Sequence, residues 1–237
     1  MSASFIVIEG IDGSGISTQV EALRTWCEDE RVPIHVTKEP TDGLTGGLIK
    51  AALDHRVTLN AKVLALLFSA DRLDHLEYHV EPYLARGDNV ITDRYYLSEF
   101  AYQSEEVDLA WLREMNKDCR RPDLTLFLDV PVSEALKRWN SDQWRGLDRL
   151  QLYESEDQLT RVREHYLEVI EQLRAEGEQI EIIDATGSIG EVQEAALNAA
   201  RPLFRPSNPE NISTSKRPPS KATEEIKERL GLRQSTG

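Results

Sequence analysis

A glycine-rich segment near the N-terminus, EGIDGSGIST at residues 9–18, constrains the fold more than any other feature of this chain. The apolar run at residues 5–8 predicts a buried strand before it, and residues 17–30 have the pattern of an amphipathic helix. A strand, a glycine-rich turn and a helix in this order are the context of a phosphate-binding P-loop. The alternative is a plain strand-to-helix turn that uses glycine for its backbone freedom.

The turn predicts a site that cradles the phosphates of a bound nucleotide with inward-pointing backbone N–H groups at a helix N-terminus. The predicted phosphate-binding residues are Gly10, Ile11, Asp12, Gly13, Ser14, Gly15, Ile16, Ser17 and Thr18. Ser17 stands where the motif places a magnesium-binding hydroxyl. Ile16 stands where the motif places lysine, and an alkyl side chain cannot donate to a β- or γ-phosphate. Losing one fixed donor from a preorganised site costs ~3 kcal/mol.

Composition and charge exclude several classes of protein. The formal net charge is −14, and acidic residues are spread over the predicted helix faces. Such a surface argues against non-specific nucleic-acid binding. No apolar run approaches the roughly 20 residues that span a bilayer, and the N-terminus has no signal-peptide pattern. We therefore expect a cytoplasmic protein without nucleic-acid or membrane partners, which captures anionic substrates in a locally basic cleft.

Short β-branched runs alternate with helical patterns over residues 1–204, which we predict to form one domain. The predicted strands are residues 5–8, 34–37, 89–92, 124–129 and 179–183. The predicted helices are residues 17–30, 45–53, 61–85, 98–118, 133–141, 156–176 and 189–203. This alternation predicts an α/β fold with a five-stranded parallel sheet and helices on both faces. Ligands of such sheets bind at the carboxyl ends of the strands.

The composition changes after residue 204. Residues 205–220 are rich in proline, serine and asparagine, which predicts a disordered tail over residues 205–237, with the pattern of one short helix at residues 223–232. This tail is net basic, whereas the body is acidic. Two interpretations remain open: a solvated tail loosely attracted to its own acidic body, or a segment that binds a partner.

Several segments, taken together, resemble the thymidylate kinases, a family of P-loop nucleoside-monophosphate kinases. The resembling segments are residues 5–19, 37–40, 65–72, 93–95, 98, 101–103 and 145–149. The resemblance covers residues 4–203 and leaves the tail outside. It implies a P-loop NTPase fold with a lid segment and transfer of a phosphoryl group from ATP to dTMP, with ATP and Mg²⁺ as cofactors. We also expect a homodimer.

The resemblance places the acceptor phosphate and sugar near three residues of the strand ends and the loop. Arg94 and Lys38 would bind the phosphate. The family usually has arginine at the Lys38 position, and lysine keeps the charge but loses the bidentate fork. Asp12 would contact the sugar hydroxyl. The alternatives are an ordinary ion pair for Arg94, with Asp93 or another neighbour, and N-capping of the following turn for Asp12.

The resemblance also places a base pocket on two predicted helices. Phe68 would stack on thymine, since a flat ring is a good platform for a flat base. Arg72, one helical turn later, would hydrogen-bond the base edge, while Tyr102 and Gln103 would pack under the deoxyribose and read the base. The alternative for Phe68 and Tyr102 is ordinary core packing.

Magnesium and catalysis are assigned by the same resemblance. Ser17 and Asp93 would hold Mg²⁺, and Asp93 would also act in catalysis. The glycine after the loop acid, Gly13, is typical of the class that carries its catalytic arginines in the lid. That class implies Arg145 and Arg149 as catalytic residues, in a lid at about residues 138–152. The alternative for this segment is a charge-rich surface helix.

Ile16 leaves three outcomes open for the activity. In the first, the lid arginines and Mg²⁺ replace the missing lysine charge, and the protein is a slow but active kinase. Alternatively, a lysine from outside the loop, Lys38 or Lys50, reaches the phosphates. In the third case the chain binds nucleotides without catalysis, as a regulator or partner subunit. A kinase for another nucleoside monophosphate is a further alternative for the function.

Overall fold

Five parallel strands form one sheet in the order β2-β3-β1-β4-β5. The computed structural model describes residues 3–141 and 155–204. The strands are β1 (Phe5–Gly10), β2 (Ile34–Lys38), β3 (Asn89–Asp93), β4 (Leu124–Asp129) and β5 (Ile180–Asp184). Every predicted strand is present within two residues of its expected bounds, so the α/β prediction with a five-stranded parallel sheet is confirmed.

Nine α-helices connect or flank these strands within residues 3–141 and 155–204. They are α1 (Ile16–Asp29), α2 (Leu44–Leu53), α3 (Ala61–His75), α4 (Glu81–Ala85), α5 (Tyr96–Gln103), α6 (Leu109–Met115), α7 (Val132–Ser141), α8 (Glu156–Ala175) and α9 (Ile189–Ala200). The side chains of β1 are buried along its whole length. Because alternate side chains of a strand point to opposite faces, both faces of the sheet are covered there.

Two predicted helices are divided in the structure. The helix predicted at residues 61–85 contains a π-helical turn, Leu76–Val80, between α3 and α4, and Pro82 lies in the first turn of α4. Proline suits that position because its missing N–H would have no helical partner there. The helix predicted at residues 98–118 is divided into α5 and α6. Asp108 restarts it as an N-cap, with its Oδ1 accepting from the backbone N of Trp111 at 2.9 Å.

Parallel pairing brings the predicted site residues to one edge of the sheet. Lys38 is paired in register with Asp93, and Asp93 with Ile8 of β1. The glycine-rich loop begins at the end of β1, so it lies beside these two side chains. Within the part of the chain that the structure describes, no helix is both long enough and apolar enough to cross a membrane. The tail and lid residues 142–152 lie outside the described residues, and their organisation stays a prediction.

Candidate active site

The glycine-rich loop joins β1 to α1 through two residues with left-handed backbone. Gly13 has a φ of 84° and Gly15, the N-cap of α1, a φ of 97°. Such angles strain any residue with a Cβ. At Gly13 there is also no space, because a Cβ would lie 2.3 Å from the backbone oxygen of Ala135 in α7. The loop therefore adopts the strand–turn–helix geometry that its sequence predicts, with backbone N–H groups of the first turn of α1 at its mouth.

Ile16 occupies the first helical position after this loop. Its side chain is only 6% exposed and belongs to the main hydrophobic core, together with Val20 and Leu23 of the same helix. Ser17 and Thr18, the next two residues, are exposed. The position that the motif gives to a phosphate-binding lysine is therefore filled by an apolar side chain that helps to anchor α1 to the core.

A cleft of about 900 Å³ opens above the loop. Most of the predicted site residues line it. From the loop these are Ile11, Asp12, Gly13, Ser14, Gly15, Ile16, Ser17 and Thr18, and from the rest of the chain Lys38, Phe68, Arg72, Asp93, Arg94, Tyr102 and Gln103. Gly10 does not line the cleft, but its carbonyl oxygen accepts a hydrogen bond from Arg94, which does. Arg145 and Arg149 lie outside the described residues, so their place in the site stays a prediction.

The Arg94 guanidinium is fixed beneath the loop by contacts from three directions. Its Nη1 donates to the carbonyl oxygen of Gly10 at 2.9 Å, to Ser98 Oγ at 3.0 Å and to the Tyr166 hydroxyl at 3.3 Å. Its Nη2 donates to Asp12 Oδ1 at 2.6 Å. Its backbone has a φ of 70°, an uncommon conformation for a residue with a Cβ. The ion pair expected as the alternative for Arg94 is present with Asp12, on the wall of the cleft.

Asp12 and Tyr102 complete this wall. Asp12 does not cap α1, because Gly15 is the N-cap and no side chain bonds there. The backbone N of Asp12 donates to the Tyr102 hydroxyl at 3.2 Å, and the Tyr102 ring centre lies 5.5 Å from Arg94 Cζ. The N-capping alternative for Asp12 is therefore wrong, and its carboxylate instead helps to orient Arg94.

Ser17 and Asp93 meet at the mouth of the loop. Ser17 Oγ donates to Asp93 Oδ2 at 2.9 Å. Burial raises the pKa of Asp93, and the charge of Arg94 and the Ser17 hydrogen bond oppose that effect. No group of three or more acidic, histidine or cysteine side chains suited to a metal is present within the described ranges. A hydroxyl with one carboxylate fits Mg²⁺, which usually takes one or two protein ligands and completes its shell with substrate phosphates and water.

Arg72 is almost fully buried, with 1% of its surface exposed, yet it lines the cleft. Its Nε donates to Glu39 Oε2 at 2.9 Å, and its Nη1 donates to Glu99 Oε2 and Asn116 Oδ1. Glu39 Oε1 in turn lies 2.9 Å from His75 Nδ1. Three elements, the β2–α2 turn, α5 and the end of α6, thus hold one guanidinium at the base of the cleft.

The position of Phe68 is compatible with both of its predicted roles, core packing and contact with a base. It is half-buried, packs against the small cluster of Ile49, Ala52 and Leu64 between α2 and α3, and also lines the cleft. Gln103 is buried at the end of α5 and lines the cleft as well. Core contact on one side of Phe68 leaves the other side available to a planar ligand.

Two lysines that line the cleft share one carboxylate. Lys50 Nζ donates to the carbonyl oxygen of Thr41 at 2.7 Å and to Asp42 Oδ1 at 2.6 Å. Lys38 Nζ lies 3.4 Å from the same Asp42 oxygen. The two lysines lower the pKa of the exposed Asp42 carboxyl, Lys50 mainly through its hydrogen bond.

Some residues in or behind the cleft had no predicted role. Tyr166, which is fully buried and contacts Arg94, lies in the regular apolar pattern of α8, so nothing in the sequence distinguishes it from core. Asp42 and Glu99 likewise carry no motif. Beside the loop, the cleft is lined by the β5–α9 connection, where Ile189 is 62% exposed and its carbonyl accepts from Gln19 Nε2 at 3.2 Å.

Comparison with known proteins identifies the family. A family model described as thymidylate kinase matches residues 8–196. The chain belongs to the thymidylate kinase family. It is 40% identical over 199 residues to a probable thymidylate kinase of Pyrococcus horikoshii, an overlap of 81% of this chain and 93% of that protein. A probable thymidylate kinase of Thermococcus gammatolerans is 37% identical over 198 residues, 79% of this chain and 91% of the relative.

The resemblance extends beyond archaeal relatives. A putative thymidylate kinase of Treponema pallidum is 35% identical over 206 residues, covering 85% of this chain and 97% of that protein. The family assignment made from the motifs is confirmed. It covers the sheet, the loop and the cleft, and the matched segment ends before the tail.

Two adjacent glycines of α2 provide a test of how the thymidylate-kinase cleft is held. A Cβ at Gly46 would lie 2.1 Å from the backbone oxygen of Thr41, whereas a Cβ at Gly47 would meet nothing within 4 Å. We expect Gly46→Ala to displace the turn between β2 and α2 at Thr41. Overpacking should cost about 1–3 kcal/mol of stability, and the displaced turn should raise the KM for the acceptor nucleotide. Gly47→Ala should be neutral or stabilising by up to ~1 kcal/mol.

Thermal unfolding and steady-state kinetics on both variants measure these effects. Gly47→Ala is the matched control, because it makes the same chemical change one residue away on the same helix. Equal stability and equal KM in the two variants would show that the turn does not depend on close contact with α2.

Proposed function

We propose that this protein transfers the γ-phosphoryl group of ATP to dTMP, giving ADP and dTDP, on the route to dTTP. Membership of the thymidylate kinase family and the names of the relatives support this activity. The observation that carries it is a single cleft that holds a glycine-rich phosphate loop, the Arg94 guanidinium and the exposed side of Phe68.

The donor half of the proposed site is the glycine-rich loop. Backbone N–H groups at the start of α1 would receive the ATP phosphates, assisted by the positive end of the helix dipole. Ser17 and Asp93, whose side chains meet at 2.9 Å, would hold Mg²⁺, which would supply positive charge to neutralise the donor phosphates. In phosphoryl transfer the protein mainly positions the reactants and stabilises charge, and these residues serve both purposes.

The acceptor half lies between the strand ends and α3. Arg94 is the proposed ligand of the dTMP phosphate, with Lys38 as a second cation, and Asp12 would contact the sugar hydroxyl. The thymine ring would stack on Phe68, with Arg72 at the base edge. Tyr102 and Gln103 would line the deoxyribose and the base. With these contacts the acceptor phosphate would lie next to the mouth of the loop, where the γ-phosphoryl group of ATP would also lie.

The missing loop lysine bears on how the transition state is stabilised. Gly13 has no room for a side chain, so no arginine can act from that position, which supports the assignment of Arg145 and Arg149 as lid arginines. Lys50 also lines the cleft. A second candidate function, a nucleotide-binding regulator without turnover, rests on Ile16 alone.

The first test of the proposed function is the choice of acceptor. With ATP and Mg²⁺, we expect dTMP to be phosphorylated faster than dCMP, dGMP or dAMP in a coupled assay. Phe68→Ala should raise the KM for dTMP and leave that for ATP unchanged, because stacking of a base on an aromatic ring contributes ~1–3 kcal/mol. A tenfold preference for dGMP or dCMP would contradict the assignment, and an unchanged KM would mean that Phe68 serves only as core.

The second test separates the roles left open by Ile16. Because Ile16 packs in the core, we expect Ile16→Lys to lower the melting temperature and to bring no gain in kcat, as other cations already serve the phosphates. A rise in kcat of one to two orders of magnitude, equivalent to ~1.4–3 kcal/mol of barrier, would instead mark the natural site as impaired. ATP binding by calorimetry, without turnover in either protein, would favour the regulator. Ile16→Leu controls for disturbed packing.

We further propose that the protein forms a homodimer through the outer face of α3. Val63, Leu66 and Leu73 fall within one helical stripe and are 44%, 43% and 49% exposed. Such an apolar stripe on one helix is self-complementary across a twofold axis. We expect a dimer in sedimentation velocity that dissociates in Leu66→Glu. Ile182→Glu, an apolar residue of similar exposure on β5, is the control, and a monomeric natural protein would contradict the proposal.

A further inference from the structure

Glu9 is a fully buried carboxylate at the end of β1, immediately before the glycine-rich loop. Its Oε1 accepts from the backbone N of Tyr95 at 2.8 Å and from the backbone N of Ser98 at 3.2 Å. Its Oε2 accepts from Ser98 Oγ at 2.5 Å and from the Tyr166 hydroxyl at 3.1 Å. Four donors from α8 and the start of α5 thus converge on one side chain that touches none of the expected ligand positions.

The same two hydroxyls also contact Arg94. Ser98 Oγ and the Tyr166 hydroxyl both accept from Arg94 Nη1, at 3.0 and 3.3 Å. Each hydroxyl therefore lies between the guanidinium and the carboxylate, where it accepts from Arg94 and can direct its own proton towards Glu9. The carboxylate and the guanidinium are coupled through shared hydroxyls rather than by direct contact.

The backbone of the same turn depends on Glu9 as well. Arg94 has left-handed backbone at a φ of 70°, which is held by its own N–H donating to the carbonyl oxygen of Ile8 at 2.9 Å. The next N–H along the chain, that of Tyr95, is the one that donates to Glu9. Such an uncommon conformation persists only where its surroundings over-determine it.

We propose that Glu9 is a positioning residue for the acceptor phosphate: it orients Arg94 by anchoring the Tyr95–Ser98 turn and the two hydroxyls that the guanidinium contacts. This assignment rests on the proposed function of Arg94 as the phosphate ligand. Glu9 itself touches no substrate, so it acts only through the Arg94 geometry.

Only the ionised form of Glu9 accepts from all four donors, whereas a protonated carboxyl must donate one hydrogen bond. The two hydroxyls also lie 2.8 Å apart, and the Tyr166 hydroxyl lies 3.3 Å from the carbonyl oxygen of Gly10, so a protonated Glu9 would donate to one hydroxyl and both hydroxyl protons would turn away from it. Protonation therefore reverses the hydrogen bonds between Glu9 and the hydroxyls beside Arg94, and removes the negative charge that acts on the guanidinium.

The charged and titratable groups around Glu9 set the pH at which this happens. Burial raises the pKa of Glu9 to about 7, and the Arg94 charge and the hydrogen bonds of Ser98, Tyr95 and Tyr166 oppose that effect. On the adjacent strand β4, its register partner is the apolar Phe127. Asp12 is paired with Arg94 on the far side of the guanidinium. The ionised carboxylate therefore predominates above about pH 7 and is lost as the pH falls through that value.

Calorimetry with dTMP and with thymidine, which lacks the phosphate, isolates the contribution of Glu9 to phosphate binding. We expect Glu9→Gln to reduce the affinity ratio of dTMP to thymidine by about tenfold or more, because the amide carries no charge to act on Arg94 and replaces one acceptor oxygen with a donor. Binding of thymidine and of ATP should be unchanged. Tyr166→Phe should give a smaller loss. Tyr96→Phe is the matched control, since its hydroxyl donates to a different carboxylate, Glu178 Oε2, at 2.7 Å.

The pH dependence of dTMP binding distinguishes a positioning role of Glu9 from a purely structural one. The dTMP affinity of the natural protein, divided by that of Glu9→Gln, should rise between pH 6 and pH 8. Titration of the dTMP phosphate, with a pKa of about 6, affects both proteins and cancels. Tyr166→Phe should shift the wild-type transition to higher pH, because the ionised carboxylate loses a donor.

An unchanged dTMP-to-thymidine ratio in Glu9→Gln and Tyr166→Phe, in a protein that does bind dTMP, would overturn this assignment alone. If Glu9→Gln does not fold, Tyr166→Phe decides, since its ring keeps the packing on Phe127 at a centroid distance of 4.9 Å. A natural protein that binds no dTMP would overturn the proposed function, and the role of Glu9 with it.

Discussion

The contact between the Arg94 guanidinium and the carbonyl oxygen of Gly10 is the interaction on which the rest of the site depends. It joins the end of β3 to the first residue of the glycine-rich loop. Asp12 of the same loop accepts a second hydrogen bond from this guanidinium. A partly buried cation is costly unless it is paired and hydrogen-bonded. The loop, α5 and α8 supply those partners, so the glycine-rich loop and the wall of the cleft formed by Arg94, Asp12 and Tyr102 take their relative positions from one side chain.

The fold was largely predictable because its signals are local. Each strand is a short β-branched run, and each loop at the carboxyl edge carries glycine, proline or charge. The divided helices show the limit of such signals. Asp108 is an ordinary N-cap residue that the sequence could have revealed, and Pro82, which lacks a backbone N–H, could have indicated the interruption at the π-helical turn Leu76–Val80.

The candidate site was predictable to the extent that its residues belong to motifs. Asp93 and Arg94 follow a strand directly, and Phe68 and Arg72 share a helix face, so their convergence could be foreseen. Tyr166 could not, because its place in α8 fits core periodicity and its partner Glu9 lies 157 residues away in the chain. The N-capping alternative for Asp12 was wrong for a related reason: its carboxylate is bonded to a tertiary partner, Arg94, instead of a local backbone N–H.

Among the described residues, the cations named here in the cleft are paired with carboxylates of the protein itself. Arg94 faces Asp12, Arg72 faces Glu39 and Glu99, and Lys38 and Lys50 share Asp42. The protein as a whole carries a net charge of −14. An incoming phosphate therefore gains little from long-range attraction and competes instead with internal carboxylates for the same cations. Recognition must come from close geometry, which favours ligands with the right shape over anions in general.

Under the proposed function, the burial of Arg72 has a consequence for the base that would face it. Its Nε and Nη1 are bonded to Glu39, Glu99 and Asn116, and its remaining nitrogen, Nη2, lies 2.9 Å from Glu39 Oε2. The guanidinium has no freedom to turn and no acceptor to offer. A pyrimidine with a carbonyl at the facing edge would complete its hydrogen bonding. A pyrimidine with an exocyclic amino group there would place a donor against the donors of the guanidinium, so discrimination between thymine and cytosine would arise from repulsion as much as from attraction.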